Sequence, residues 1–145
     1  MAERDIREVP LVDIWRIRRE VMYPNESIGF VRLPEDEQGV HFGLYEGDDP
    51  VTIISLFIHE GKLQFRKFAT LTRKQRQGYG TTLLRYTMDW AIANGHHYIW
   101  CNARLSATSM YEKFGMSAAG DSWMKWGIEF IKMEKVLTHG DHSRD

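Results

Sequence analysis

The chain reads as a mixed α/β layer fold, with antiparallel strands first and a strand–helix–strand crossover in its middle. Three observations predict this. Residues 40–71 hold three short runs rich in β-branched and aromatic side chains, separated by tight turns. Residues 79–94 then carry apolar residues at helical spacing. Two later stretches, 97–102 and 126–136, return to strand character.

Each element follows from its residues. Residues 4–9 alternate charged and apolar, with Ile6 and Val9 on the apolar side, and read as a short edge strand. Pro10 suits the first turn of a helix, where its missing N–H costs nothing. That helix places Leu11, Ile14, Arg18, Val21 and Met22 on one face and stops at Pro24. From Tyr23 to Gln38 there is no periodicity, and Pro24-Asn25-Glu26 and Pro34-Glu35-Asp36 signal turns, so this is loop with one short helix at most. Strands at 40–45, 51–58 and 63–71 form a meander joined by Gly47-Asp48-Asp49-Pro50 and Glu60-Gly61-Lys62. The helix over 79–94 buries Leu83, Leu84, Thr87, Met88, Ala91 and Ile92 and closes at Asn94-Gly95. A strand over 97–102 follows. Ser106 caps a further helix carrying Ala107, Met110, Tyr111 and Phe114 on one face, ended by Gly115. The last strands fall near 116–119 and 126–136; the second alternates imperfectly through Ile128, Phe130, Met133 and Val136, which predicts a bulge near Lys132.

Composition narrows the function. At 145 residues the chain predicts one domain over 1–137 and a polar tail over 138–145. With 43% hydrophobic and 27% charged residues it is an ordinary globular sequence, not a disordered one. Nineteen Lys and Arg against 20 Asp and Glu give a net charge of −1, so nothing in the bulk charge attracts nucleic acid or an anionic membrane. The longest apolar run, Val51–Ile58, is broken by Thr52 and Ser55, and the charged start Met1-Ala2-Glu3-Arg4-Asp5 is no secretory signal; the expectation is a cytoplasmic protein without a membrane partner. Cys101 is the single cysteine, which excludes an intrachain disulfide, and no two of the six histidines stand four apart, so no metal is expected.

The most informative segment is Gln75-Arg76-Gln77-Gly78-Tyr79-Gly80-Thr81, between a predicted strand and a predicted helix. Glycines there permit left-handed backbone and close approach of a ligand. Amides at the helix start, with the helix dipole, attract an anion, and Arg73, Lys74 and Arg76 add local positive charge. A mononucleotide P-loop would need a lysine after the last glycine, and the dinucleotide fingerprint a third glycine where Leu83 stands. A glycine-rich turn with no ligand is the other reading.

Two motifs decide between them. The pattern Gln/Arg-x-x-Gly-x-Gly/Ala, after a meander and before an amphipathic helix, resembles motif A of the GNAT acetyltransferase superfamily. The preceding strand, Leu63 to Leu71, has that family's spacing, with Ala69-Thr70 where relatives usually have Ala-Val. Ala107-Thr108-Ser109-Met110-Tyr111-Glu112-Lys113-Phe114-Gly115-Met116 resembles the family's second motif, with Met116 for its usual Phe. The resemblance covers residues 4–136 in element order and 65–116 in motif detail. It implies the GNAT acyl-CoA N-acyltransferase fold, a twisted mixed sheet of six or seven strands with helices on both faces, and acetyl-CoA as co-substrate with no metal. It implies that the pyrophosphate rests on the amides of Gln75, Arg76, Gln77, Gly78, Tyr79, Gly80 and Thr81. The pantetheine arm would lie between strands 65–71 and 97–102, pairing with Phe68, Ala69 and Thr70 as one more strand, and an N–H near Thr70 would polarise the thioester carbonyl.

The same resemblance makes Tyr111 the general acid to the departing thiolate; as a residue on an apolar stripe it also reads as a core aromatic. Where many relatives have Asn seven residues before that Tyr, this chain has Arg104. Asn102, two residues earlier, takes the cofactor role on this reading, and Arg104 faces a phosphate, an acidic acceptor or solvent. His41, His59, Glu60 and Glu129 are candidates for a base, none with a supporting motif. Cys101, on a predicted buried strand, reads as a small hydrophobe rather than an acetyl carrier. The acceptor, a small-molecule or peptide amine, would meet Arg18, Arg19, Tyr23, Phe30, Trp123 and Trp126. An antiparallel homodimer through the last strands follows by analogy. A non-catalytic acyl-CoA-binding module and, more remotely, a nucleotide-binding domain are the rival readings.

Overall fold

A computed structural model describes residues 4–138. The elements run β1 (Arg4–Glu8), α1 (Leu11–Met22), α2 (Ile28–Val31), β2 (Val40–Glu46), β3 (Asp49–His59), β4 (Lys62–Thr70), α3 (Tyr79–Ala93), β5 (Tyr98–Arg104), α4 (Thr108–Glu112), β6 (Ser117–Lys125) and β7 (Ile128–Val136). Single turns of 3-10 helix stand at Asp36–Gln38, Thr72–Lys74 and Leu105–Ala107. The strands form one mixed seven-stranded sheet in the order β1-β2-β3-β4-β5-β7-β6. No helix among the described residues is long and apolar enough to cross a membrane. The polar tail expected from residue 138 lies outside the described residues apart from Thr138, which is exposed.

The chain packs as two compact units. The first takes the residues up to Phe57 together with Phe65–Thr87. In it β1 runs antiparallel to β2, from Arg4↔Glu46 to Glu8↔Phe42, and β2 antiparallel to β3 with a bulge at Leu44/Tyr45. Its core gathers Val9, Ile14, Ile17, Leu44, Tyr45, Val51, Ile53, Ala69, Leu71 and Tyr79. Helix α1 buries Ile14, Ile17 and Arg18, so its inward face is centred one position away from the expected stripe, and Leu11, Val21 and Met22 are only half-buried. Pro10 stands just outside the helix as its cap, with its carbonyl accepting from the N–H groups of Asp13 and Ile14. The unpatterned stretch after Pro24 holds a four-residue helix, capped where the Ser27 hydroxyl accepts from the N–H of Phe30.

Arg18 carries that stretch. It is fully buried, and its guanidinium donates to both carboxylate oxygens of Asp36 at 2.9 Å. It also donates to the Val31 carbonyl and the Ser55 hydroxyl, each at 2.9 Å. The indole N–H of Trp15 and the Leu33 amide donate to the same carboxylate. The fork shape of a guanidinium suits such bidentate pairing. His41 completes the network: Nε2 donates to the Asp36 carbonyl at 2.9 Å, which fixes the neutral tautomer in which Nδ1 accepts from the Ser55 hydroxyl at 2.8 Å. Burial holds His41 below its ordinary pKa and keeps it neutral.

The second unit takes Ile58–Gln64 and the residues from Met88 onward. Helix α3 closes here in a Schellman motif, with Gly95 at φ +83° donating to the Ile92 carbonyl and His96 to that of Ala91. Strand β5 is antiparallel to β7, from Tyr98↔Val136 to Arg104↔Phe130, and parallel to the start of β4 at Leu63↔Ile99 and Gln64↔Trp100. Ile99, Cys101, Ala103, Met116, Met133 and Leu137 are buried. Strands β6 and β7 form a hairpin turned by Trp126 and Gly127, both left-handed, at φ +52° and +75°. A two-residue loop of that kind matches the twist of its strands. Trp126 was expected inside the last strand; a residue with φ > 0 belongs to the turn. The expected bulge near Lys132 falls instead in β6, where the register shifts between Ala119 and Trp123, and Lys132 pairs regularly with Asn102. Helix α4 is also shorter than the one expected from Ser106. Ala107 precedes it at φ −107°, ψ 3°, outside helical geometry, and residues 105–107 form a 3-10 turn instead.

Candidate active site

The glycine loop belongs to the first unit. Strand β4 delivers it: Ala69 is buried in the core, Phe68 and Thr70 are half-buried, and Phe68 meets Phe65 edge-on at 6.1 Å. The Thr70 hydroxyl bonds to that of Thr52 at 3.1 Å, and the Leu71 N–H donates to the Val51 carbonyl at 2.9 Å, so the end of β4 is anchored before the chain turns. After the 3-10 turn, Arg76 and Gly78 both adopt left-handed backbone, at φ +64° and +86°. Left-handed residues so placed curl a chain so that its amides converge, as in anion-binding nests. A Cβ at Gly78 would meet nothing within 4 Å, so the backbone angle and not crowding is what calls for glycine.

Two side chains fasten the loop to itself. Gln75 Nε2 donates to the Thr70 carbonyl at 3.1 Å, and Gln77 Nε2 to that of Arg73 at 3.3 Å. The Tyr79 ring is buried in the core and its hydroxyl donates to Glu46. At Tyr79 this leaves the backbone for a ligand, and at Gln75 and Gln77 the exposed residues keep their side-chain carbonyl oxygens as well. Thr82 donates its N–H to the Gly78 carbonyl, which opens the α3 ladder and leaves the amides of Gly80 and Thr81 ahead of it. Lys74 is paired with Glu46 at 2.7 Å and Arg73 lies 3.9 Å from Glu20. Arg76 is exposed and has no carboxylate partner among the described residues.

Tyr111 and Asn102 belong to the second unit. Strand β5 alternates, with Cys101 and Ala103 buried and Asn102 and Arg104 exposed. Tyr111 sits on α4, whose end is locked by a second Schellman motif: Gly115, at φ +85°, donates to the Glu112 carbonyl and Met116 to that of Tyr111. The glycine of the second motif thus holds Tyr111 in place. Tyr111 is half-buried, and burial, with the Cys101 sulfur as electrostatic neighbour, pushes its phenol well above the usual value. It stays protonated throughout the neutral range, as a hydrogen donor must. Burial pushes the Cys101 thiol up to about 12, so no thiolate is present to carry an acetyl group.

The base and acceptor candidates separate in the same way. His41 has both ring nitrogens engaged in the Arg18 network, and Arg18 is structural rather than part of an acceptor pocket. Glu60 occupies an exposed turn at φ +52°, His59 is exposed, and Glu129 accepts from the Ser122 hydroxyl. Arg19 donates to the Glu26 carbonyl, and Trp126 is 77% exposed. One residue no pattern pointed to is Lys67, left-handed at φ +54° in the middle of β4. Its Nζ donates to the Tyr23 hydroxyl at 2.9 Å.

A mixed sheet whose fourth strand feeds a glycine loop and whose fifth feeds a short tyrosine-bearing helix is the acyl-CoA N-acyltransferase fold. The chain belongs to the GNAT acetyltransferase family: the family model described as an acetyltransferase (GNAT) domain matches residues 23–137. It is similar to the uncharacterized N-acetyltransferase YitI of Bacillus subtilis (strain 168), 27% identical over an alignment of 143 residues, with 92% of this chain and 96% of that one covered. The fold matches the ribosomal-protein-S18-alanine N-acetyltransferase of Escherichia coli at a TM-score of 0.79 and 18% identity, over 94% of this chain and 95% of that one. It also matches a Bacillus subtilis acetyltransferase solved in complex with CoA, at 0.72 and 15%, over 95% and 100%.

Proposed function

We propose that this acetyltransferase takes acetyl-CoA as donor and passes the acetyl group directly to a primary amine of a small molecule or peptide. The observation that carries the reading is the loop from Leu71 to Thr81. It ends a strand, curls through two left-handed residues, and leaves the amides of Gly80 and Thr81 at the open start of α3, with Arg76 exposed in the same loop. On this reading the pyrophosphate rests there, and the arm runs back along β4 past Thr70 and Phe68, making strand-like backbone bonds. Asn102 is a second contact to the donor.

The amine nitrogen, entering neutral, attacks the thioester carbon. A C–N bond forms and the C–S bond breaks; the nitrogen gives up a proton to water, the sulfur leaves as thiolate and takes one from Tyr111, and water returns a proton to the phenolate. A β4 amide receives the oxyanion. Tyr111 donates to the departing sulfur. A phenol raised above its usual value gives up its proton reluctantly to a thiolate of ordinary pKa about 8.5. The same dry surroundings raise the thiolate too, so the two are matched closely enough for the proton to be shared in the transition state. The test is acetyl-CoA-dependent thiol release over a panel of primary amines. Turnover with any of them supports the proposal; tight donor binding without release on the whole panel favours a non-catalytic module. We also propose a homodimer through the β6–β7 hairpin, supported by Met124 on β6 and Trp126 in the turn, 63% and 77% exposed; a sedimentation mass of one chain overturns it.

A further inference from the structure

Lys67 is an unusual place for a cation. It interrupts β4 with left-handed backbone, a conformation that costs a non-glycine residue free energy and persists where the surroundings enforce it. The side chain is half-buried against the end of α1. There the ammonium donates to the Tyr23 hydroxyl at 2.9 Å and lies 5.0 Å from the centre of the same ring, which Phe30, half exposed, supports edge-on at 5.2 Å. A phenol oxygen and a ring face orient a cation without neutralising it. Two other cations of the same unit are neutralised: Arg66 is paired with Glu35 at 2.8 Å and Lys74 with Glu46 at 2.7 Å. Among the described residues no carboxylate pairs with Lys67. A partly desolvated ammonium held in one direction with no counter-ion is a group prepared for an anion.

Its position says which anion. On the donor reading proposed above, on which this inference rests, the pyrophosphate lies beyond the C-terminal end of β4 and the arm returns past Thr70 and Phe68. The acetyl end then falls beside Lys67, so the anion Lys67 meets belongs to the acceptor and not to the phosphates. We infer that Lys67, oriented by Tyr23, binds a carboxylate carried by the acceptor, making the acceptor class an amino acid or other short amine with a carboxylate near the nucleophilic nitrogen. The same charge disfavours a simple cationic polyamine by repulsion. It also lowers the pKa of an incoming ammonium and so raises the share of neutral nucleophile.

The test compares matched acceptors, each an amino acid and its carboxamide, on wild type, Lys67→Gln and Lys67→Arg. Acetyl-CoA titration by calorimetry on each variant controls for folding and for the donor site. A charge-assisted hydrogen bond to a carboxylate corresponds to about 10–100-fold in kcat/KM. Wild type is expected to favour acid over amide by that factor, expressed mainly in KM. Lys67→Gln brings the ratio near one, and Lys67→Arg restores most of it. Loss of acetyl-CoA binding in wild type would overturn the donor reading and this inference together. Intact donor binding with amides turned over as well as acids, with no turnover of either, or with a ratio that Lys67→Gln leaves alone, would overturn this inference by itself.

Discussion

Asp36→Asn removes the charge that Arg18 is built around while keeping the side-chain volume. Arg18 is 0% exposed and Asp36 2%, and the carboxylate accepts from Arg18 twice, from Trp15 and from Leu33. An amide in its place leaves a buried guanidinium without a counter-ion and turns an NH2 group toward donors. Breaking one half of a buried pair costs about 3–5 kcal/mol. At roughly 3 °C per kcal/mol for a domain of this size, Tm falls by about 9–15 °C. Far-UV circular dichroism on heating at pH 7 reads it, with urea unfolding as the second probe and the m-value expected to hold. The double variant Arg18→Met with Asp36→Leu distinguishes lost charge from lost shape. Replacing a buried pair by apolar groups is often neutral or better, so it should recover at least about half of the loss. Acid adds a further check. Burial raises the Asp36 carboxyl, but the bonds from Arg18, Leu33 and Trp15 outweigh it and hold the group below its ordinary range. A group depressed in the folded state stabilises fully above its unfolded value, about 3.9, and that stability is lost as pH falls through the folded value. Asp36→Asn should flatten that limb. An Asp36→Asn protein melting within about 2 °C of wild type would refute the reasoning.

Tyr111→Phe should lower kcat by about 10²-fold with acetyl-CoA affinity held within about twofold, read by steady-state kinetics and calorimetry. Because the phenol lies above its ordinary value, the wild-type rate should show no falling alkaline limb from this group up to about pH 10. Cys101→Ala should keep activity within about threefold and lose roughly 1–2 kcal/mol of stability through the small cavity it opens; a covalent acetyl-enzyme on Cys101 seen by mass spectrometry would contradict the buried, protonated thiol. Burial depresses the folded pKa of His41, so stability is whole above about pH 6.5 and falls as pH drops below it; His41→Gln should remove that slope from a plot of Tm against pH.

Elements with strong periodicity were legible in the sequence. The meander, α3 and its Gly95 closure, and the strand before Tyr111 all follow from side-chain alternation, helical stripes and glycine caps, because those patterns are local. The loop at 75–81 was legible as a glycine turn opening a helix for the same reason, since positive φ at Gly78 and a helix start are both written in the chain. What escaped depends on distant partners. Arg18, on the apolar face of its helix, reads as an acceptor-pocket arginine until Asp36, Ser55 and Val31 converge on it. The left-handed Lys67 has no signature at all, because lysine does not favour that backbone. Helix α4 came out shorter than its apolar stripe, since residues 105–107 wind tighter than an α-helix. The bulge moved from Lys132 to the facing strand, because imperfect alternation shows that a register slips but not which strand absorbs the extra residues.

Calorimetric titration of the protein with acetyl-CoA, against CoA and ATP and alongside Gly80→Glu, tests the central claim most directly. A glutamate at the start of α3 sets a negative charge and a side chain among the amides assigned to the pyrophosphate. The account predicts acetyl-CoA binding with a Kd of order micromolar, about −8 kcal/mol, weakened at least about 30-fold in the variant, with ATP bound far more weakly. Absence of acetyl-CoA binding, equal binding of ATP, or a Gly80→Glu protein that binds as wild type does would contradict it.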